Sequence, residues 1–401
     1  MDASPCWAEA AHGPAGPAAT EPRARSSLRL PDDRPHLVHV FPTFGIGGAQ
    51  VRFAALAEGL GERFRHTVLS LDGDYDAAAL IPSTAPVRYA VPPAPARSLA
   101  ARIGRYRAAL AALSPDILVT YNWGSMEVVL ANGLAGFPHL HQEDGFGPDE
   151  AARQLPRRIW ARRIALVRSR VIVPSHTLQN VATRTWRLDR RRVQLIPNGV
   201  SPGPERPSTL HSLGLDLPPG LPVIVWAGAL RREKNPLRLL RAFAPLKDRA
   251  VLLLVGDGPE RSAVLEEAAG LKLGRHLHLL GRRTDTRDII ARSQVLVLSS
   301  DTEQMPFVVL EAMEAGLPVV ATDVGDIWEM VAGPNREFIV PLGERALSEA
   351  LDTLVRNPAL RVRIGRANRM RQRDLYTLPQ MVDAYSAVFE GMSTSVRARL
   401  R

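Results

Sequence analysis

The chain has 401 residues, 45% of them hydrophobic, which is enough to build the cores of two domains. No apolar run approaches the ~20 residues of a membrane-spanning helix, and the sole cysteine, Cys6, excludes an internal disulfide. The net charge of +10 favours an anionic partner, which could be nucleic acid, an anionic membrane surface or a phosphorylated substrate.

Residues 1–34 are rich in Ala, Pro and Arg and show no hydrophobic periodicity, which predicts a disordered tail. Pro, Gly, Glu and His interrupt every apolar stretch in this segment, and that argues against a signal peptide. A single cysteine near the start suits a reducing compartment. We therefore expect a cytoplasmic protein, with peripheral contact to the inner membrane face as an option.

Strands and helices alternate through the next part of the chain, which predicts a first Rossmann-like half built on a parallel sheet. Its strands are predicted at His36–Val40, His66–Ser70, Ile117–Thr120 and Val171–Val173, the last of which is taken to close this half. Helices are predicted up to Leu60 and over Leu99–Leu113.

A glycine-rich turn with Gly45, Gly47 and Gly48 follows the first strand. A dinucleotide-binding fingerprint would need its third glycine at position 50, which is Gln50, and this weakens that interpretation. We interpret the turn as a place where backbone N–H groups approach the phosphate of one bound substrate or part of a second substrate.

Three aspartates, Asp72, Asp74 and Asp76, alternate as in a calcium-binding loop. Ala77 stands where such a loop needs glycine, and no Glu closes it. We interpret the segment as a solvated loop and predict no metal site.

The segment from Arg153 to Arg170 has the pattern of a basic amphipathic helix. Its arginines and apolar residues interleave as Arg157, Arg158, Ile159, Trp160, Arg162, Arg163, Ile164, Val167 and Arg168. Such a helix could lie on anionic lipid, or it could be an ordinary packed helix with a solvated arginine face. Nucleic acid is disfavoured as a partner because the chain has no zinc-ligand spacing and no basic strand interleaved with aromatics.

A Pro-, Gly- and Ser-rich linker at 201–222 separates this part from a second alternating half. Strands are predicted there at Val223–Trp226, Val251–Val255, Leu277–Leu280, Val295–Leu298 and Val319–Ala321. The final helix is predicted over Leu378–Met392. Two such halves facing each other would enclose a cleft.

The most informative stretch runs from Ser299 to Thr322 and places Glu303 and Glu311 eight positions apart. A helix is predicted from Pro306 to near Gly316, so that one carboxylate lies in the preceding loop and the other on the helix. Carboxylates accept hydrogen bonds from hydroxyls, and a helix N-terminus favours a diphosphate. The pattern therefore favours a nucleotide-sugar site, the alternative being two solvated glutamates.

This stretch resembles the Glu-x7-Glu signature of retaining glycosyltransferases of family 4, which have the GT-B architecture. Further landmarks stand in the family's order, namely Gly47–Gln50, His141–Gly147, Ile196–Val200, Gly228–Asn235, Gly256–Pro259 and Gly281–Arg283. The resemblance spans residues 35–389. It implies an α/β fold of two Rossmann-like domains facing a central cleft.

The resemblance also implies a domain plan. Residues 35–200 would form the acceptor domain, and 201–376 the nucleotide-sugar donor domain. Residues 377–401 would form a helix that packs back on the first domain, followed by a basic tail.

Roles on the donor side follow from the same resemblance. Glu311 would hold the ribose hydroxyls and Glu303 the hydroxyls of the transferred sugar. Many members have Arg where this chain has Ala229, so Lys234 is expected to supply the charge for the diphosphate. The remaining donor-binding candidates are Arg231, Arg232, Gln304, Met305, Pro306, Phe307, Gly47, Gly48, Gly256, Gly281 and Arg282.

On the acceptor side, Asp144 is expected to orient or help to deprotonate the acceptor hydroxyl, with His141 or Glu143 as substitutes. A purely structural capping role for Asp144 stays open. The implied activity is retaining, metal-independent and cofactor-free transfer of a sugar from a UDP- or GDP-sugar to a glycan, lipid-linked or small-molecule acceptor. The alternatives are a sugar-nucleotide epimerase of the same architecture and a non-catalytic nucleotide-sugar-binding module.

Overall fold

The computed structural model describes residues 34–146, 150, 154–203, 209–212, 214–215 and 217–400, the last six of them by backbone only. The predicted disordered tail lies outside the described residues except for Arg34. Arg153, the start of the predicted basic segment, and the side chains of the predicted basic C-terminal tail also lie outside them.

The described strands of the first half form a seven-stranded parallel sheet in the order β3-β2-β1-β4-β5-β6-β7. The strands are β1 His36–Phe41, β2 Arg65–Ser70, β3 Val87–Ala90, β4 Ile117–Tyr121, β5 His139–Gln142, β6 Arg170–Val173 and β7 Val193–Leu195. The strand order reverses between β1 and β4, the place where such sheets bind ligands. The prediction that Val171–Val173 closes this half was wrong, because β7 pairs beyond it.

Helices on both faces cover this sheet. They are α1 Gly48–Leu60, α2 Leu99–Leu113, α3 Met126–Ala135, α4 Pro156–Ala165 and α5 His176–Asn180. The predicted bounds of α2 are confirmed, and the Ser98 hydroxyl caps this helix by accepting a hydrogen bond from Ala101 N.

The second half repeats the design, with six described parallel strands in the order β10-β9-β8-β11-β12-β13. The strands are β8 Val223–Ala227, β9 Val251–Val255, β10 Leu277–Leu279, β11 Val295–Leu298, β12 Val319–Thr322 and β13 Ile339–Val340. The helices are α6 Pro236–Phe243, α7 Arg261–Gly270, α8 Thr286–Arg292, α9 Phe307–Ala315, α10 Ile327–Met330, α11 Glu344–Arg356 and α12 Pro358–Leu375. The two Rossmann-like halves expected from the alternating pattern are confirmed.

The last helix, α13 (Leu378–Leu400), returns to the first half and packs against α1. Tyr385 and Phe389 are fully buried in the core of the first sheet. A Cβ on Gly59 would lie 2.6 Å from Val382 Cγ2, so glycine permits this close packing.

The chain crosses between the halves twice, at Val200 and at Thr377, and the two crossings lie side by side. Val200 N donates to Tyr376 O at 3.0 Å, and Leu378 N donates to Val200 O at 3.0 Å. A Cβ on Gly199 would lie 2.3 Å from Thr377 O, so only glycine fits here without a shift of the backbone. This paired crossing fixes how the loops of the two sheets meet.

Within the described part of the chain, no helix is both long enough and apolar enough to cross a bilayer. The cytoplasmic location with contact to the inner membrane face stays a prediction.

Candidate active site

The loop from β11 to α9 carries the first predicted carboxylate. β11 is fully buried and ends at Leu298, and α9 begins at Phe307, directly after Pro306. Glu303 therefore lies in the loop and Glu311 on the helix, as the sequence predicted. Gly316 closes α9 in the left-handed conformation, with φ at 76°.

Glu303 is held by two donors. Its Oε1 accepts a hydrogen bond from Lys234 Nζ at 2.5 Å and another from Ser300 Oγ at 2.7 Å. The Glu303 side chain is 8% exposed and that of Lys234 is 29% exposed. The pair is therefore buried at its carboxylate end and accessible at its ammonium end.

The loop that carries Lys234 is fixed by residues that directly follow β11. Ser299 Oγ donates to Lys234 O and to Asn235 O, both at 2.9 Å, and Asp301 N donates to Glu233 O at 2.8 Å. β8 and β11 are adjacent at the point where the strand order reverses, which brings their loops together. Lys234 thus reaches Glu303 across 69 positions of sequence.

Two arginines of the same loop were predicted to assist Lys234. Arg231 and Arg232 are both exposed, and among the described residues neither forms an ion pair. Their charge adds to the positive potential at this end of the sheet without a fixed partner.

Glu311 has a different environment from Glu303. It is half-buried on α9, and among the described residues no group donates a hydrogen bond to it. Burial raises the pKa of Glu311 to about 7, while the charge of Arg287 opposes this shift. Because no described group donates to it, the Glu311 carboxyl group can still accept hydrogen bonds from a ligand.

Three glycine turns lie next to one another at the carboxyl ends of β8, β9 and β10. Gly256 N donates to Gly281 O at 2.7 Å, and a Cβ on Gly256 would lie 1.8 Å from Gly228 O. Gly256 has φ at 138°, which also favours glycine. Arg282 is exposed beside Gly281. The glycines let the three turns pack closely against one another at this edge of the second sheet.

The residues from Gln304 to Phe307 face the first half of the molecule. Gln304 Oε1 accepts from Ser175 Oγ at 3.0 Å, and Met305 O accepts from Asn198 Nδ2 at 2.8 Å. These contacts place the N-terminal end of α9, which we call its entrance, at the boundary between the two sheets.

The glycine turn after β1 lies on the opposite side of this boundary. Gly47 precedes the first residue of α1 in an extended conformation, and Gly48 begins the helix. A Cβ on Gly48 would lie 3.8 Å from the ring of Phe307. The turn therefore faces the entrance of α9.

Asp144 follows β5 and is bound on both oxygens by Arg52 of α1. Arg52 Nη1 donates to Oδ1 and Arg52 Nη2 donates to Oδ2, the latter at 2.7 Å. The Arg52 side chain is 2% exposed and that of Asp144 is 18% exposed. Arg52 also donates to Asn198 Oδ1 at 3.2 Å, which links Asp144 to the α9 entrance.

The other acceptor-side candidates, His141 and Glu143, are both fully buried. His141 Nδ1 lies 2.8 Å from Thr120 Oγ1, and Glu143 accepts from Arg162 Nε at 3.2 Å. Arg162 also binds Glu150, and this buried cluster holds α4 against the sheet. His141 and Glu143 are thus more deeply buried than Asp144, and their role as substitutes for it stays a prediction.

Residues that the sequence interpretation missed complete the picture. Ser300 and Ser299 bind the site's carboxylate and backbone. Arg52 donates to Asn198, which stands in the turn Ile196–Val200 that the sequence did indicate. The position of Arg52, one helical turn after Gly48, was the available signal for that residue. No group of three or more His, Cys, Asp or Glu in the described residues could hold a metal ion.

Two family models match the chain. The model of Glycosyltransferase Family 4 covers residues 46–203, and that of Glycosyl transferases group 1 covers residues 221–357. Alpha-maltose-1-phosphate synthase of Mycobacterium tuberculosis is 30% identical over 312 residues, which is 67% of this chain and 80% of that protein. The 2-deoxystreptamine N-acetyl-D-glucosaminyltransferase of Streptomyces fradiae is 29% identical over 303 residues, 68% of each chain.

Solved structures share the architecture. HepE of Anabaena, in complex with UDP and glucose, superposes with a TM-score of 0.76 at 18% identity and covers 89% of this chain and 100% of its own. Sucrose-phosphate synthase of Thermosynechococcus elongatus gives 0.75 at 20% identity, covering 90% of this chain and 100% of that one. At these identities the likeness establishes a common fold.

Proposed function

This chain belongs to glycosyltransferase family 4 and has the GT-B fold, and we propose that it transfers a sugar from a nucleotide diphosphate-sugar to an acceptor hydroxyl with retention of the anomeric configuration. The family and fold indicated by the sequence motifs are confirmed. The donor, the retention, the metal independence and the roles of single residues are the proposal.

The Lys234–Glu303 pair beside the entrance of α9 carries this proposal. A nucleotide diphosphate-sugar presents hydroxyls that a carboxylate can accept from, and phosphates that an ammonium group and a helix N-terminus can bind. Here the Glu303 carboxylate and the Lys234 ammonium group lie 2.5 Å apart. On donor binding, Glu303 would accept hydrogen bonds from sugar hydroxyls, and Lys234 would donate to a phosphate, in place of their mutual contact.

The rest of the donor would lie along the second sheet. We assign the ribose hydroxyls to Glu311, which has hydrogen-bonding capacity to spare, and the base to the turn of Gly281 and Arg282. Backbone amides from Gln304 to Phe307 are assigned to the diphosphate. The close packing of Gly256 on the neighbouring turn shapes this edge of the second sheet.

The demanding step is cleavage of the bond between the anomeric carbon and the diphosphate oxygen. Negative charge grows on that oxygen while the sugar becomes oxocarbenium-like, so a fixed cation such as Lys234 is more stabilising in the transition state than before it. The acceptor oxygen forms the new bond on the face that the leaving group vacates. Its proton passes to the departing phosphate, and no strong protein base is required.

Asp144 is proposed to orient the acceptor hydroxyl. Because Arg52 binds both of its oxygens, the carboxylate is fixed in place. A carboxylate held in this way can accept a hydrogen bond from an acceptor through its exposed fraction. This arrangement suits orientation better than proton abstraction.

The identity of donor and acceptor is proposed at the level of chemical class. HepE, with the same fold, is described in complexes with UDP and with UDP-glucose. We propose a UDP- or GDP-hexose as donor and a glycan, lipid-linked or small-molecule acceptor, in glycan, polysaccharide or glycolipid biosynthesis.

The test is a panel of nucleotide-sugars that includes UDP-glucose, UDP-N-acetylglucosamine and GDP-mannose, screened for thermal stabilisation of the full chain. A donor at about a hundred times its Kd raises the free energy of unfolding by ~2.7 kcal/mol. The same donor must then lose its sugar to an acceptor with the anomeric configuration retained, with and without a metal chelator. Stabilisation by no member of the panel would contradict the proposed donor class.

Two outcomes would favour the alternatives. Isomerised nucleotide-sugar formed from the donor alone would favour an epimerase. Tight donor binding without turnover on any acceptor would favour a non-catalytic binding module, and the absence of Arg at Ala229 makes that outcome worth measuring.

A further inference from the structure

One surface of the first half presents large apolar side chains to solvent, and we call it the α4 face. Trp160, Ile164 and Val167 are 58%, 66% and 60% exposed. Their spacing of four and three residues places them on one side of α4 and of the turn that follows it. Apolar residues with this period normally pack into a core, whereas here they face solvent.

The opposite side of the same segment is anchored in the protein. Arg162 and Leu166 are buried, and Arg162 binds both Glu143 and Glu150. Glu143 directly precedes Asp144 in the chain. The helix therefore cannot rotate to bury the α4 face, and its inner side is tied to the loop proposed to meet the acceptor.

Positive charge surrounds the α4 face. Arg157, Arg168 and Arg187 are exposed, and the Arg163 guanidinium lies 5.0 Å above the ring of Trp160. Asp189 is the only carboxylate among the described residues that line the adjoining groove, and it accepts a hydrogen bond from Arg191 N. A band of apolar side chains between guanidinium groups is complementary to a surface of acyl chains under anionic phosphates.

We propose that the α4 face docks on the surface of an anionic lipid bilayer. Trp160 and Ile164 enter the boundary between headgroups and acyl chains, and the flanking arginines bind lipid phosphates. The face belongs to the half proposed to take the acceptor, so docking would present a lipid-linked acceptor to the cleft. That last step rests on the proposed function, whereas docking itself does not.

The experiment is sedimentation of the full chain with vesicles of phosphatidylcholine alone and of an equal mixture with phosphatidylglycerol. We expect binding to the mixed vesicles that weakens as salt rises. The double variant Trp160→Ser/Ile164→Ser should lower the partition coefficient at least ~10-fold. The matched control Val362→Ser/Met370→Ser, which changes two exposed apolar residues of α12, should bind like the wild type.

A second variant separates charge from apolar insertion. Arg157→Glu/Arg163→Glu should lower binding to mixed vesicles at least ~10-fold and should abolish the preference for phosphatidylglycerol. Each variant should remain folded, because all four altered side chains are wholly or partly exposed. Thermal unfolding checks this.

Three outcomes would overturn the proposal. They are no binding to either vesicle, equal loss of binding in the α12 control, and undiminished binding of the α4 variants. Concentration-dependent dimerisation that the α4 variants abolish, without vesicle binding, would assign the face to a second copy of the chain instead. Donor-induced stabilisation does not depend on any of these results, so failure of docking and failure of the proposed function can be told apart.

Discussion

The loop after β11 and the loop after β5 both place a carboxylate at the edge of a parallel sheet, but they hold it in different ways. Glu303 pairs with Lys234, whose side chain is 29% exposed, while Asp144 pairs with Arg52, which is 2% exposed. A partly exposed lysine can exchange its partner for a ligand. A buried arginine that loses its partner leaves an uncompensated charge, at a high cost in stability.

Glu143, also on the first half, is a second carboxylate that pairs with a buried arginine. It is fully buried against Arg162, whose guanidinium also stacks 4.9 Å from the ring of Trp123. Asp144 and Glu143 of the first half thus neutralise buried arginines. Glu303 of the second half has a partly exposed partner instead. Of these three pairs, Lys234–Glu303 has the most exposed cation, which supports its proposed role in binding.

The largest effect is expected from breaking the Asp144–Arg52 pair. Asp144→Asn should lower the free energy of unfolding by ~3–5 kcal/mol, because the Arg52 charge stays buried without its counterion. Denaturant unfolding measures the change, and Asp74→Asn in a solvated loop is the matched control.

The double variant Arg52→Met/Asp144→Asn separates structure from catalysis. Removal of both charges should restore most of the lost stability, which a double-mutant cycle detects as strong coupling. Activity should stay low if Asp144 also orients the acceptor. Additive losses of stability would show that the pair is not the structural unit described above.

The next largest effect concerns Lys234, the accessible member of the other pair. Lys234→Ala should lower turnover by ~10²–10³-fold, because a fixed cation is lost where charge develops on the leaving group. Stability should fall less than for Asp144→Asn, since Lys234 is partly exposed. Lys247→Ala, on the same half, is the control for both measurements, and near-normal turnover of the Lys234 variant would remove this residue from the site.

Apolar and glycine patterns made the second half predictable from the sequence. The strand Val295–Leu298 is wholly apolar, and Gly316 ends α9 where the pattern indicated. The strand β5 (His139–Gln142) escaped prediction because its letters are polar. In the fold, His139 and His141 both lie 2.8 Å from the Thr120 hydroxyl, and burial lowers the pKa of His139 to about 3. Hydrogen bonds between polar side chains thus allow this strand to be buried.

The candidate site was predicted in part, and the roles of its residues stay a proposal. Glu303, Glu311 and Lys234 stand in motifs with ordered spacing, and the fold brings Lys234 and Glu303 together. The pairing of Arg52 with Asp144 could not be identified, because the two residues are 92 positions apart and nothing local marks them as a pair. Burial that depends on distant partners is not visible in a single sequence.

A smaller effect is expected at Glu303. Glu303→Gln should remove the charge from the proposed hydrogen bond to the transferred sugar, a loss of ~1.5–3 kcal/mol that corresponds to a ~10–150-fold lower kcat/KM. Discrimination between donors that differ at the C3 or C4 hydroxyl should weaken as well. The control is Glu329→Gln on an exposed part of the same half. Unchanged donor selectivity in the Glu303 variant would contradict its assigned contact.

The smallest effect is the pH dependence that Glu311 imposes on stability. Burial raises its pKa from 4.5 to about 7, so between these values the folded protein binds a proton that the unfolded chain has released. The free energy of unfolding should therefore fall as pH rises through this window, by about 1 kcal/mol per pH unit. Glu311→Gln should remove this component, measured as the difference from wild type at about pH 5.5 and about pH 6.5.

The same titration sharpens the contrast with Glu303. An ionised Glu311 accepts hydrogen bonds from a ribose diol more strongly than a neutral one, so nucleotide affinity should rise with pH through about 7 in the wild type and stay level in Glu311→Gln. Glu329→Gln should follow the wild type in both measurements. A variant that keeps the wild-type pH profile of nucleotide binding would show that the ribose does not contact this carboxyl group, and the donor would then have to be held by the Lys234–Glu303 pair and the glycine turns alone.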